Sequence, residues 1–317
     1  MKDLRHKDSR KDAFIEWACW SLTYKDCDPA LWLLNYLFDR YEHNLEQKYW
    51  IAWIYGTTYH LPTAWIIWNE FPDFELVDLD RIKDWNDKNY KRLRYQTDTK
   101  WNKGHLPAQY ESYHKWVHYK NPTGKQRDKF SKFTSFADAW NNIATLHKFG
   151  RYSTWFYMQT LKDCVGVPFE PSNLLLSDYS GSRSHRNGLC FAMGLDEWVD
   201  KKLSSPNIRL LEMYGYQLRD EINRKGFDMD FYEMETLLCS FKKIFRTSHG
   251  RYLGYYLDRQ AEEISKVEAD GWAGIDWEVF WDGRNETLEK KLSTSKTIRK
   301  DLYTHFLDKG NLNYGTV

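Results

Sequence analysis

The sequence predicts a mainly α-helical protein, and three features predict it. Apolar residues recur at helical spacing along most of the chain, convincing two-residue alternation is missing, and only 17 Gly and 8 Pro interrupt 317 residues. In order, residues 12–23 read as a first helix. Residues 28–43 follow, with Asp28 as N-cap, Pro29 at the first helical position, and Leu31, Leu34, Phe38 and Tyr41 on one face. Segments 45–55, 62–70, 135–149 and 153–164 carry the same period. Ile208, Leu211, Leu218 and Ile222 mark another helix. The stripe Phe231, Met234, Leu238, Phe241 and Phe245 defines a further one over 230–246. Leu253, Leu257, Ala261, Ile264 and Val267 pattern 251–268, and 295–307 is the last expected helix.

The length suits two ordinary domains or one large one. The break expected from composition lies near residue 133. It separates an aromatic-rich region 1–132, with a basic segment at 91–132, from a region 133–317 that carries a polar loop; a single continuous domain stays open. A formal net charge of +1 excludes a uniformly basic, histone-like protein and an acidic disordered one. The 17% of aromatic residues argue for a chain folded nearly throughout. Five cysteines without a C-x-x-C pair fit neither a zinc ribbon nor a secreted disulfide framework. Residues 1–12 are charged, and no run approaches the apolar length of a membrane span, so the expected compartment is a reducing cytoplasm, without membrane contact.

Charge is not evenly spread. Residues 91–132 hold eleven Lys or Arg against three acids, a formal +8, which leaves −7 for the rest of the chain. Tyr95, Trp101, Tyr110, Tyr113, Trp116, Tyr119 and Phe130 are interleaved with these charges. Cations neutralise phosphates and flat rings stack on bases, so Lys91, Arg92, Arg94, Trp101, Lys125 and Arg127 are the expected DNA contacts. A solvated helix face with snorkelling lysines over core aromatics is the alternative.

The stretch 177–188 is polar and glycine-punctuated, and reads as a loop leading into a helix. Ser180, Ser182, Arg183, Ser184, His185, Arg186 and Asn187 crowd between and beside Gly181 and Gly188. Backbone N–H groups at a helix N-terminus and two arginine forks suit a phosphate, with a surface turn as the alternative. Glu235 sits on the edge of an apolar stripe and must be paired, protonated or used. Its alternatives are a salt bridge to an arginine and a catalytic or amine-binding acid. Neither a P-loop, a G-x-G-x-x-G turn, a nucleophile elbow nor an H-E-x-x-H helix is present, so no metal or nucleotide cofactor is expected. Mg²⁺ on a diphosphate is conceivable without a ligand motif to support it.

Four segments carry a family resemblance: residues 49–60 (YWIAWIYGTTYH), 182–190 (SRSHRNGLC), 235–243 (ETLLCSFKK) and 250–256 (GRYLGYY). Together they resemble the phage enzymes of DNA-thymine hypermodification called amino acid:DNA transferases, or α-glutamyl/putrescinyl-thymine pyrophosphorylase-like proteins. The resemblance implies a transferase acting on double-stranded DNA that carries phosphorylated 5-hydroxymethyluracil. An amine from an amino acid or polyamine would displace the phosphate or diphosphate, on a base flipped from the stack. On that reading Arg183, His185 and Arg186 stabilise the departing oxygens, and Glu235 or His185 accepts the amine proton. Ser182, Ser184, Asn187 and Arg251 help to bind the phosphate. A helical DNA-binding or glycosylase-like repair protein and a helical interaction protein are the competing expectations.

Overall fold

The structure is a computed structural model and describes residues 6–245 and 256–287. Among these residues there are fourteen α-helices and no strand, as the apolar period requires. They are α1 Lys7–Thr23, α2 Pro29–Arg40, α3 Leu45–Thr58, α4 Leu61–Glu70, α5 Leu79–Asn89, α6 Leu106–His118 and α7 Gln126–Phe130. There follow α8 Phe136–Ile143, α9 Arg151–Thr160, α10 Tyr179–Ala192, α11 Ser205–Asn223, α12 Phe231–Phe241, α13 Tyr256–Ala269 and α14 Trp277–Thr287. The expected helix 295–307 and Arg251 lie outside the described residues. No described helix is long and apolar enough to cross a membrane.

Two compact units divide the chain, each assembled from separate stretches. One comprises Met1–Pro29, Pro171–Ala261 and Arg284–Val317; the other comprises Ala30–Glu170 and Glu262–Gly283, so residue 133 lies inside the second.

In the first unit the core is built by α1, α10, α11 and α12. Phe14, Trp17, Leu189, Leu218, Leu238 and Phe241 are buried together, with Phe14 edge-on to Phe241 at 5.2 Å. Each such side chain contributes about 1.5–3 kcal/mol through burial. Asp230 starts α12 with a reciprocal capping box, its carboxylate accepting from Glu233 N while Glu233 accepts from Asp230 N. In this unit α10 packs on α12 with the backbones meeting at Gly188 and Leu238. A β-carbon on Gly188 would lie 2.0 Å from the Leu238 carbonyl oxygen, so only glycine lets the backbones approach this far.

The second unit is organised around α3, whose residues from Tyr49 to Thr58 are all buried. A helix that is apolar all round belongs inside a core. Trp50 stacks on Trp53 at 5.0 Å and Trp53 on Tyr113 at 4.8 Å, and Gly56 admits the Tyr157 side chain of α9 at near-contact distance. Much of the aromatic content therefore serves packing. Of the rings interleaved with the basic segment, Tyr95, Tyr110, Tyr113 and Phe130 are buried, whereas Trp101 is 79% exposed and Tyr119 is exposed.

Candidate active site

Residues 180–188 are not a loop but the first turns of α10. Asp178 caps the helix, its Oδ1 accepting from Gly181 N at 3.1 Å. Ser182, His185, Arg186 and Leu189 are buried at the i, i+3, i+4, i+7 spacing of one helix face, and Asn187, Gly188, Cys190 and Ala192 are buried beside them. The helical period was present in the sequence but written in polar side chains, which meet Glu235 of α12 in the case of His185 and backbone carbonyls in the case of Ser182 and Arg186.

The crossing at Gly188 and Leu238 sets the site. One turn earlier on each helix stand His185 and Glu235, and the imidazole Nδ1 lies 2.9 Å from the carboxylate Oε1. Both residues are buried, His185 completely and Glu235 to 3% exposure. The other ring nitrogen, Nε2, is 3.1 Å from the Leu174 carbonyl oxygen. A carbonyl only accepts, so Nε2 carries a hydrogen. Nδ1 and Oε1 stand at ion-pair distance when the ring carries a second proton. The partner of Glu235 on α10 is thus a histidine where a structural arginine was the simplest expectation.

Around this pair the network widens toward partly exposed groups. Cys239 Sγ donates to Glu235 Oε1 at 3.4 Å. Burial, and then the charge of Glu235, push the thiol up to about 12, so Cys239 is a hydrogen-bond donor rather than a thiolate nucleophile. Lys242 donates from Nζ to Ser184 Oγ at 2.5 Å, with Ser184 partly exposed. Sequence reasoning did not select Cys239 or Lys242 for the site. The signal was available: residues 235, 239 and 242 stand at i, i+4 and i+7 and mark one stripe through α12 and the 3₁₀ turn after it.

The remaining expected phosphate ligands are engaged in structural contacts. Ser182 Oγ donates to the Leu176 carbonyl at 3.2 Å and to that of Asp178. Asn187 makes a reciprocal pair with Asp200, donating to Oδ1 at 2.8 Å and accepting from Asp200 N at 3.0 Å. Arg183 is exposed and its Nε donates to the same Oδ1 at 2.6 Å. That hydrogen bond raises the Arg183 pKa and lowers that of Asp200. Arg186 is buried, its guanidinium 4.3 Å over the Tyr179 ring and one amino group donating to the Lys201 carbonyl at 3.3 Å; burial lowers its pKa.

In the basic segment the expected DNA contacts fall into two groups. Arg94 forms a two-pronged pair with Asp270 at 2.9 Å through both Nε and Nη2. Arg92 lies 4.2 Å over the Trp272 ring and donates to the Asp270 carbonyl at 3.0 Å. The Lys91 carbonyl accepts from Lys103 Nζ at 2.9 Å, and the Lys91 side chain is exposed, its ammonium 5.9 Å from the centre of the Tyr90 ring. Lys125 and Arg127 are exposed at the start of α7, where Glu46 accepts from the backbone N of Gln126 and Arg127 and so caps that helix from outside.

A family model described as amino acid:DNA transferase matches residues 23–250. The chain belongs to this family. The matched stretch of the amino acid:DNA transferase includes both the basic segment and the complete network from Ser184 to Lys242. The serinyltransferase of Salmonella phage ViI is 26% identical over 284 residues, which cover 80% of this chain and 66% of that protein, so this chain spans about two thirds of that relative's length. No solved structure matches.

Proposed function

We propose that this amino acid:DNA transferase joins an amine to the 5-methylene carbon of a phosphorylated 5-hydroxymethyluracil in double-stranded DNA, with phosphate or diphosphate as leaving group. The observation that carries the reading is the buried His185–Glu235 pair bordered by Ser184 and Lys242. An attacking amine must be neutral, and it must lose a proton once it is bonded to carbon. The carbon–oxygen bond breaks with its electron pair going to the phosphate oxygen, the carbon–nitrogen bond forms, and the surplus proton passes to the pair. A dyad that already holds one proton takes a second and releases it with the product.

Leaving-group oxygens gain charge as their bond to carbon breaks, and donors aimed at that charge stabilise the transition state. Lys242 with Ser184, and Arg183 after exchanging exposed Asp200 for phosphate, fill this role. Arg186, beneath Tyr179, positions the helix, with Ser182 and Asn187. Lys91, Arg92, Lys125 and Arg127 contact backbone phosphates and Trp101 offers a stacking surface. The name of the phage ViI relative, serinyltransferase, supports an amino acid as the amine donor, with a polyamine served by the same chemistry. The setting is the cytoplasm of an infected host cell. The test is incubation with duplex DNA bearing 5-phosphooxymethyluracil or its diphosphate and single amino acids or putrescine. Nucleoside mass spectrometry should show the amine adduct with equimolar phosphate or diphosphate release; absence of both with every amine refutes the proposal.

A further inference from the structure

The second unit holds a group of side chains that plays no part in this chemistry. His114 and His118 stand at H-x-x-x-H spacing on α6, a spacing that the expectation of no metal overlooked. Their rings share one helix face, with centroids 4.3 Å apart. Glu75, in the 3₁₀ turn Phe74–Leu76, brings its Oε2 to 3.2 Å from His118 Nε2. At that distance the two form an ion pair when the ring is protonated. With the ring neutral, the same two atoms are near enough to share a cation. One ligand atom from each of the three residues lies within 4.8 Å of the others. Around a tetrahedral zinc ion with bonds of about 2.0–2.1 Å, neighbouring ligand atoms are about 3.3 Å apart, so small side-chain rotations close the set.

The surroundings hold these groups in place. Tyr110 Oη donates to the carbonyls of Phe74 and Val77 at 3.1 and 3.2 Å, tying the Glu75 turn to α6. Asp73 caps the same turn, accepting from Glu75 N at 3.0 Å. Phe74 lies parallel to the His118 ring, and Gly124, at φ +68°, passes so close that a β-carbon would sit 2.7 Å from that ring.

We propose that His114, His118 and Glu75 form a binding site for a divalent transition metal of the zinc type, with three protein ligands and a fourth position open to water. The site would pin the 3₁₀ turn to α6. Its test uses the full-length chain, freed of metal by chelation, and Zn²⁺ and Co²⁺ as probes. Calorimetry should show Zn²⁺ binding that weakens at least tenfold in His118→Gln and in His114→Gln, with helical content unchanged by circular dichroism. Bound Co²⁺ should give the visible bands of a tetrahedral nitrogen and oxygen site without thiolate charge transfer, and Cys239→Ser should leave them unchanged. The proposal is overturned if the folded wild-type chain binds no Zn²⁺, or if both histidine variants bind as wild type. Thiolate bands that vanish in Cys239→Ser would also overturn it, because the metal would then sit at His185, Glu235 and Cys239.

Discussion

The α10–α12 crossing and the basic segment treat polar residues in opposite ways. At the crossing, His185, Arg186, Ser182 and Glu235 are buried; His185 pairs with Glu235, Ser182 and Arg186 donate to backbone carbonyls, and the exposed Arg183 is held in a surface pair. In the segment 91–132 most charges are exposed and the rings between them are largely core. Both regions read in sequence as polar residues mixed with special ones, yet one is an interior network and the other a surface. Burial raises the energetic stake of each partner, since a buried polar group left alone costs far more than an exposed one. Substitutions at the crossing should therefore be felt one at a time, and those on the segment only in sum.

The largest effect is expected from Glu235→Gln. Turnover on phosphorylated DNA should fall about 10²–10⁴-fold, the range for a general acid–base group, while DNA affinity stays the same. If the pair were merely structural, the melting temperature would drop and activity per folded molecule would persist. Next comes Gly188→Ala, which forces a methyl group against the Leu238 carbonyl oxygen. Overpacking of this kind costs about 1–3 kcal/mol in denaturant unfolding. Because the same crossing sets the 2.9 Å contact of His185 with Glu235, turnover should also fall more than the unfolded fraction explains.

On the segment, replacing Lys91, Arg92, Lys125 and Arg127 together by Gln should flatten the plot of log affinity against log salt. The slope should lose about 0.9 for each phosphate contact removed, and melting should barely change. Arg94→Gln should differ, lowering stability through loss of its two-pronged bond to Asp270. An identical response of Arg94 and its exposed neighbours would erase the distinction between paired and solvated charge.

The smallest effect concerns Asp200, whose carboxyl is held below its ordinary value by the hydrogen bond from Arg183 and then shifted further by that from Asn187. A depressed carboxyl stabilises the fold above its unfolded pKa and loses that contribution as pH falls through the folded value. Wild type should thus melt above Asp200→Asn at pH 7, and the gap should close below about pH 4. Exposure of the pair limits the difference to about 1 kcal/mol or less.

Apolar periodicity alone determined the helical class and the helices built on Phe231, Met234 and Leu238 or on Leu211 and Leu218, because an apolar stripe has one stable use, burial against another element. Composition likewise located the charge asymmetry of residues 91–132. The residue types of the site were also legible, with His185 and Glu235 both singled out. Their conjunction was not. A pattern that weighs only apolar residues reads polar positions 182, 185 and 186 as solvent-facing, and so turned the start of α10 into a loop. What made them a buried face is tertiary: Glu235 of α12 for His185, brought close where Gly188 lacks a side chain, and the Leu176 and Lys201 carbonyls for Ser182 and Arg186. Which carboxylate meets which histidine, and which arginine is spent on a ring or an aspartate, are contacts between residues tens of positions apart. Tertiary structure alone decides such pairings, since the desolvation that makes them matter exists only once the two helices have closed.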